Sequence, residues 1–458
     1  MPTDGEFVAT LVCPMRTLVN INSEAGYTHA DDLYTLLTRV CDDLNTGTGF
    51  TFSTIKEPPE KTVFVKYRHH ESDRDTWFTK PLVTVKLAGD KKSALSETLK
   101  AKHSTFAAYG KLAETVRLEL YDNTIAIAVV DLRLDIAETV KCFGAARHLE
   151  EATTKLGETI TQWLAAHAIN PLVAALEKAA TDKTLWPNKL PVLRYPREFI
   201  VFDDLTEHAF PVWKAERCPL MWVHRINQIG DLDEPALKAL APVMRTREFP
   251  DNEAFFIHWG TTYSFDPDRH DKVIAMNVNN QYFYCLLDCL RHSQKRHLRR
   301  ITSTNKAVSL KEVSYTYDRQ EDLIAEYENE LMDYSNGLQD VQAEFFQKIH
   351  DAFRTGNLIT TLQTRSNMIG GRIDRIIRKR RVVQDRLLSY VLFVLGGTQL
   401  IALAQNIFWF ERDITEPDPY WGVTDLAAGA SFNLTTNVIM MFLIVGAAIW
   451  VFRRGNGT

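Results

Sequence analysis

The stretch LLSYVLFVLGGTQLIALAQNIFW, residues 387–409, holds 23 residues without a charge, and FNLTTNVIMMFLIVGAAIWVF, residues 432–452, holds another 21. A bilayer core of roughly 30 Å needs about 20 apolar residues at about 1.5 Å of helical rise each. Both stretches meet that length. The sequence therefore predicts transmembrane helix 1 at 387–409 and transmembrane helix 2 at 432–452, behind a large body of globular composition.

Flanking charge predicts the orientation. Before the first stretch stand Arg365, Arg372, Arg375, Arg378, Lys379, Arg380, Arg381 and Arg386, opposed only by Asp374 and Asp385; Arg453 and Arg454 follow the second. Between the stretches lie Glu411, Asp413, Glu416, Asp418 and Asp425 against Arg412 alone. Basic residues near span ends stay on the cytoplasmic side. Both termini, including the basic tail 453–458, are thus expected in the cytoplasm and the acidic loop 410–431 outside. The expected location is the inner (plasma) membrane, as a multi-pass protein.

The body before the spans has ordinary proportions. A charged fraction of 24% and a net charge of −5 give no whole-chain reason to expect nucleic-acid binding, because the basic residues concentrate beside the membrane. The opening residues MPTDGEFVATLVCPM lack the basic and apolar regions of a cleaved signal peptide. The scattered cysteines suit reduced thiols in a cytosolic domain better than a disulfide framework.

Patterning along the body predicts α/β architecture. Strands are expected at 6–12, 62–68 and 82–87, with a hairpin over 116–131 turning at Asp122-Asn123-Thr124. A helical region over 136–180 is expected to break near Asn170-Pro171, where proline clashes with the preceding turn. Loop residues cluster at 185–195, dividing a cytosolic α/β domain (1–305) into two subdomains. A second strand group is expected at 198–202, 220–225, 254–264 (with a bend at Gly260) and 272–278. From about residue 281 the pattern is helical, apart from a loop near 303–313.

The segment 318–386 is expected to be a helical stalk. Ile324, Tyr327, Leu331, Tyr334, Leu338, Val341 and Phe345 follow one another at steps of three and four. That is the seam of a coiled coil, or of a helix packed on its own domain. Gly370 and Gly371 are expected to act as a hinge, since glycine costs about 1 kcal/mol in a helix interior.

Within transmembrane helix 1, Ser389, Gly396, Gln399 and Asn406 recur at steps of 7, 3 and 7, which places them on one helical face. An amide left unpaired in hydrocarbon is costly, so that face must meet other helices or water. It either packs helix on helix, with Gly396-Gly397 allowing close approach, or lines a pore with Gln405 and Asn406 at the outer entrance. Two spans cannot enclose a pore, so a pore requires a homo-oligomer. Glu411, Asp413, Glu416 and Asp418 would concentrate cations at its mouth, unless the loop is acidic only because positive charge is excluded from it. The run Arg378, Lys379, Arg380 and Arg381 either sets topology and touches anionic headgroups, at about 1 kcal/mol per residue, or forms an inner basic collar. Cys285, Cys289 and His292 share one helix face and read as core residues or as three zinc ligands. No phosphate loop, dinucleotide fingerprint, HExxH or paired CxxC is present, so no enzymatic activity is expected.

An α/β body, a long helix entering the first span, an acidic outer loop, a second span and a basic tail together resemble the CorA-type magnesium transporter superfamily. That resemblance implies a pentamer whose first span lines the pore, with Mg²⁺ as the transported or regulatory ion. The family's Gly-Met-Asn triplet is represented here by Ala404-Gln405-Asn406, where only the asparagine matches. The reading is a gated, cation-conducting channel or transporter of CorA-like build. Two alternatives stay open: a membrane-anchored stress or phage-defence effector that depolarises the membrane, and a non-conducting membrane scaffold.

Overall fold

The computed structural model describes residues 5–17, 30–46, 49–54, 81–121, 125–181, 220–245, 255–302, parts of 317–338, 341–412 and Gly446. In chain order the elements are β1 (Glu6–Arg16), α1 (Ala30–Asn45), β2 (Phe50–Thr54), β3 (Val83–Leu87), α2 (Gly89–Lys102), α3 (Phe106–Tyr109), β4 (Gly110–Leu120) and β5 (Ile125–Asp135). Then come α4 (Ile136–Phe143), α5 (Ala146–Leu164), α6 (Asn170–Thr181), β6 (His224–Gln228), α7 (Glu234–Leu240), β7 (Phe255–His258) and β8 (Thr261–Ser264). There follow, among the described residues, α8 (His270–Thr302), α9 (Val341–Phe353) and α10 (Thr355–Arg412).

The strands form one mixed sheet in the order β2-β3-β4-β5-β1-β6-β8-β7. Neighbours run antiparallel, except β6 beside β8, which is parallel. The centre of the sheet is buried on both faces. In β1 and β5, Leu11, Cys13, Ala128 and Val130 point into one core, which also holds Leu37 of α1, Leu95 of α2 and Leu156 of α5. Their neighbours Val12, Ile127 and Val129 point into a second core built by α8, α9 and the start of α10. The period of two along a strand thus feeds two helical layers.

Gly157 fixes the height of α5 above the sheet. A Cβ there would lie 2.6 Å from Val223 Cγ2 and 3.2 Å from Cys13 Sγ, so only glycine admits this approach. At the other end of the layer, the Asp135 carboxylate accepts from the Glu138 N–H at 2.8 Å and starts α4 directly out of β5.

Several elements depart from the sequence pattern. The strand expected at 272–278 lies inside α8. Its run of apolar residues imitates a strand because this part of the helix is buried on nearly every side, as Val273, Ile274, Met276 and Val278 show. The break expected at Asn170-Pro171 is instead a π-helical turn, Ala165–Ile169, leading into α6. The widened turn accommodates a residue that cannot donate an N–H, and the chain stays helical. The strand expected at 220–225 begins later, at His224, with only an isolated bridge between Leu220 and Met15 before it. Helices α1 and α2 stand where no element was expected; α2 buries only Leu95 and Leu99, too few to write a periodic signal. The strands expected at 62–68 and 198–202 and the loops near 185–195 and 303–313 lie outside the described residues.

The chain divides into two compact units, Met1–Lys295 with Asp318–Thr364, and Arg296–Tyr317 with Arg365–Thr458. In the first, Ile324, Leu331, Tyr334, Leu338 and Phe345 of the expected seam pack into the second core. In the second, Ile369 and Ile373 pack with Leu298, Tyr317 and Ile377.

Candidate functional site

Helix α10 carries most of the residues singled out from the sequence. Its helical hydrogen bonding runs without interruption through Gly370 and Gly371. Gly370 serves a packing purpose: a Cβ there would meet the Tyr317 hydroxyl at 2.6 Å, whereas one at Gly371 would meet nothing within 4 Å. On the same turns Ser366, Ile369 and Ile373 are buried. Arg375, Arg378, Lys379, Arg381 and Arg386 are exposed, and Arg375 Nε donates to the Gly371 carbonyl at 3.0 Å. The side chain of Arg380 lies outside the described residues.

From Leu387 to Phe410 the helix carries no charge. Leu388, Leu392, Leu395, Tyr390 and Phe393 are exposed, Phe393 at 77%. At 100° per residue these side chains spread over more than half of the circumference of α10, and the remaining arc holds the half-buried Leu387, Val391 and Val394. Ser389 and Gln399 are exposed beside them, and Gly396 is half-buried. Gln405, Asn406 and Glu411 lie on α10 without described side chains, and Asp413, Glu416 and Asp418 lie outside the described residues. Among the described residues no helix is long and apolar enough to cross a membrane. Side chains of the first expected span are described only at 387–397 and at Gln399, and the second span, Gly446 apart, lies outside the described residues.

Cys285 and Cys289 sit in the second core, where burial pushes the Cys289 thiol up to about 11 and Cys285 well above its ordinary range. His292 is exposed, with Nδ1 2.9 Å from the Asp288 carbonyl. The three side chains thus lie in different environments, and among the described residues no group of three or more His, Cys, Asp or Glu could hold a metal ion. Strand β7 ends at His258, and Trp259 and Gly260, whose φ is +83°, make the turn into β8, so the strand expected over 254–264 with a bend at Gly260 is an antiparallel pair.

One polar constellation was not anticipated. Arg225 of β6 is buried against α5: Nε donates to Thr153 Oγ1, Nη2 to Thr154 Oγ1 at 2.8 Å and to the Glu150 carbonyl, and Nη1 to the Val223 carbonyl at 3.3 Å. Burial lowers the guanidinium to about 10, opposed by the Glu150 carboxylate. Arg245 grips that carboxylate with Nε and with Nη2, the latter at 2.6 Å, and its backbone N–H donates to the Tyr263 hydroxyl at 3.1 Å. Asn227, Thr261 and Tyr263 join these residues around a cavity of about 20 Å³, room for one water. The local signal was a lone arginine in the run MWVHRINQ; its threonine partners on α5 stand more than 70 residues away, at separations of 72 and 71. On the other face of the same strand, His224 Nε2 lies 2.9 Å from Thr262 Oγ1, and burial lowers this imidazole to about 3.

No known protein family, curated protein or solved structure matches this chain.

Proposed function

We propose that this chain is a homo-oligomeric, two-span membrane protein of CorA-like layout, whose α/β domain controls ion passage through the bilayer. One observation carries the reading. Helix α10 exposes Leu388, Tyr390, Leu392, Phe393 and Leu395 directly after a belt of arginine and lysine. So large an exposed apolar surface calls for an apolar environment, and the charge-free run 387–409 has the length of a bilayer core. The mixed sheet followed by one long helix is the order of elements the resemblance implies.

In this reading Ser389, Gly396, Gln399 and Asn406 line a pore between subunits. Their amides and hydroxyl replace part of an ion's water shell, and the carboxylates from Glu411 to Asp418 raise the cation concentration outside. Magnesium gives up its water reluctantly, so amides that hold a hydrated ion suit it. Exposed Arg378, Lys379 and Arg381 would surround the inner mouth, where positive charge slows cation exit until it is screened or moved.

That collar, and the replacement of Gly-Met by Ala404-Gln405, favour a second reading: an effector whose activated α/β domain depolarises the membrane without ion selectivity. Flux through the full-length protein in liposomes separates the two. Flux of Mg²⁺ and Co²⁺ above that of Na⁺, K⁺ and Cl⁻, reduced by Asn406→Ala, supports the transporter. Unselective leakage supports the effector. A protein that enters the liposomes and passes no ion under any condition defeats both and leaves the scaffold.

A further inference from the structure

The basic belt of α10 divides between two faces of the helix. Arg378 stands 11 residues before Ser389, Arg381 18 before Gln399, and Asp374 and Asp385 22 and 11 before Gly396. Each spacing is close to a whole number of turns, so these four share the face of the polar stripe, two cations with two carboxylates. Arg375, Lys379, Arg386, Tyr390 and Phe393 follow one another at steps of 4, 7, 4 and 3. They make a second face, about 100° away, with three cations and no carboxylate. All five side chains are exposed, Tyr390 at 52% and Phe393 at 77%. The side of these turns that packs is a different one, where Ile369 and Ile373 meet Leu298, Tyr317 and Ile377.

Read toward the C-terminus, the second face is basic, then aromatic. A helix side that meets lipid has that order: cations at the phosphate layer, a tyrosine at the interface and an apolar ring among the acyl chains. A pore lining has no use for Phe393. We infer that this second face of α10 binds anionic phospholipid of the leaflet the helix enters, with Arg386 on the lipid phosphate and Tyr390 and Phe393 along the acyl chains. Such a site presupposes the bilayer span at 387–409 proposed above, and it takes Lys379 out of the collar. Lys379 and Arg375 stand about 10 and 16 Å behind Arg386 along the axis. With a Debye length of about 8 Å, their pull on the phosphate weakens in that order.

The test is lipid binding to the full-length protein in detergent, titrated with phosphatidylglycerol or phosphatidylcholine of identical acyl chains and read by native mass spectrometry. A basic residue at the membrane surface adds about fivefold in affinity for anionic lipid. Phosphatidylglycerol should therefore bind more tightly than phosphatidylcholine. Arg386→Gln should cost about fivefold of that preference, Lys379→Gln less and Arg375→Gln least. Arg378→Gln, on the stripe face, should keep the preference, and Phe393→Ala should weaken both lipids alike. Equal affinity for the two lipids would overturn the proposal, and so would a loss in Arg378→Gln as large as in Arg386→Gln. Displacement of phosphatidylglycerol by inorganic phosphate would overturn it too, with free phosphate as the occupant. Flotation with phosphatidylcholine liposomes keeps the two readings apart. A chain that does not float refutes the membrane reading and this site with it, whereas one that floats and shows no lipid preference refutes this site alone.

Discussion

From Ile125 to Val130 every residue of β5 is fully buried, whereas from Leu388 to Leu395 five large apolar side chains of α10 stand exposed. The two regions are equally apolar in sequence. In β5 the chain supplies its own cover, with α5 on one side and α8 on the other. At roughly 25 cal/mol per Å², that burial is what holds the sheet domain together. On α10 the same kind of side chain stands exposed among the described residues, Phe393 at 77%. Composition tells how much apolar surface exists, and topology decides whether the chain or its surroundings must hide it.

Truncation tests the contrast most sharply. Leu156→Ala in the first core should destabilise the α/β domain by about 3–4 kcal/mol, while Leu392→Ala should change it by less than about 0.5 kcal/mol. Urea unfolding of the two variants, followed by tryptophan fluorescence, measures both. Similar losses would show that α10 is covered after all.

A charge should have the reverse effect. Phe393→Asp should leave the unfolding of the α/β domain unchanged and oppose membrane insertion by about 2.5–3.5 kcal/mol. In a chain ended at Arg412, which lacks the second run, the protein should then move from the membrane to the soluble fraction on centrifugation. A variant that still pellets with membranes would remove the first span from the proposal.

Acid should act on the domain and spare the helix. The buried His224 imidazole is lowered from 6.5 to about 3, so the folded state keeps it neutral while the unfolded chain takes up a proton below about 6.5. The unfolded state binds more protons in that window. Its contribution is therefore intact above pH 6.5 and is lost as pH falls toward 3, at up to about 1.4 kcal/mol per pH unit. Denaturant midpoints between pH 7 and 4 should fall steeply in the unmodified protein and more gently in His224→Gln.

The smallest expected effect lies at the glycine pair. Gly371→Ala, with open space around it, should stabilise α10 by up to about 1 kcal/mol. Gly370→Ala should lose that gain against the Tyr317 hydroxyl 2.6 Å away, and Tyr317→Ala should restore it. Amide hydrogen exchange across residues 365–377 reads the difference. Equal protection in the two alanine variants would show that the tyrosine contact carries no weight.

Local patterns in the sequence were enough where the structure is local. The hairpin of β4 and β5, the strand β3, the bend at Gly260 and the helicity of 136–181 follow from periods and turn residues that neighbouring positions supply. Reading failed where burial on all sides removed the period, as at 272–278. At Gly370 the fold adds a contact that the sequence does not announce, since a Cβ there would meet the Tyr317 hydroxyl at 2.6 Å. The seam from Ile324 to Phe345 allowed a coiled coil or a packed helix, and its described members lie in the second core of the α/β unit. Cys285, Cys289 and His292 shared a face by spacing, yet two are core and one is exposed.

The sequence alone determined the α/β class, the long final helix, and the charge-free runs at 387–409 and 432–452 with their basic flanks. These depend on composition and short-range period, which the chain carries wherever it goes. Tertiary structure alone decided that β1 lies between β5 and β6, that Gly157 sets the height of α5, and that Arg225 meets Thr153, Thr154 and Glu150 around a water-sized cavity. Each joins residues far apart in the chain, and only the packing of two helical layers on one sheet brings their surfaces within a hydrogen bond's reach.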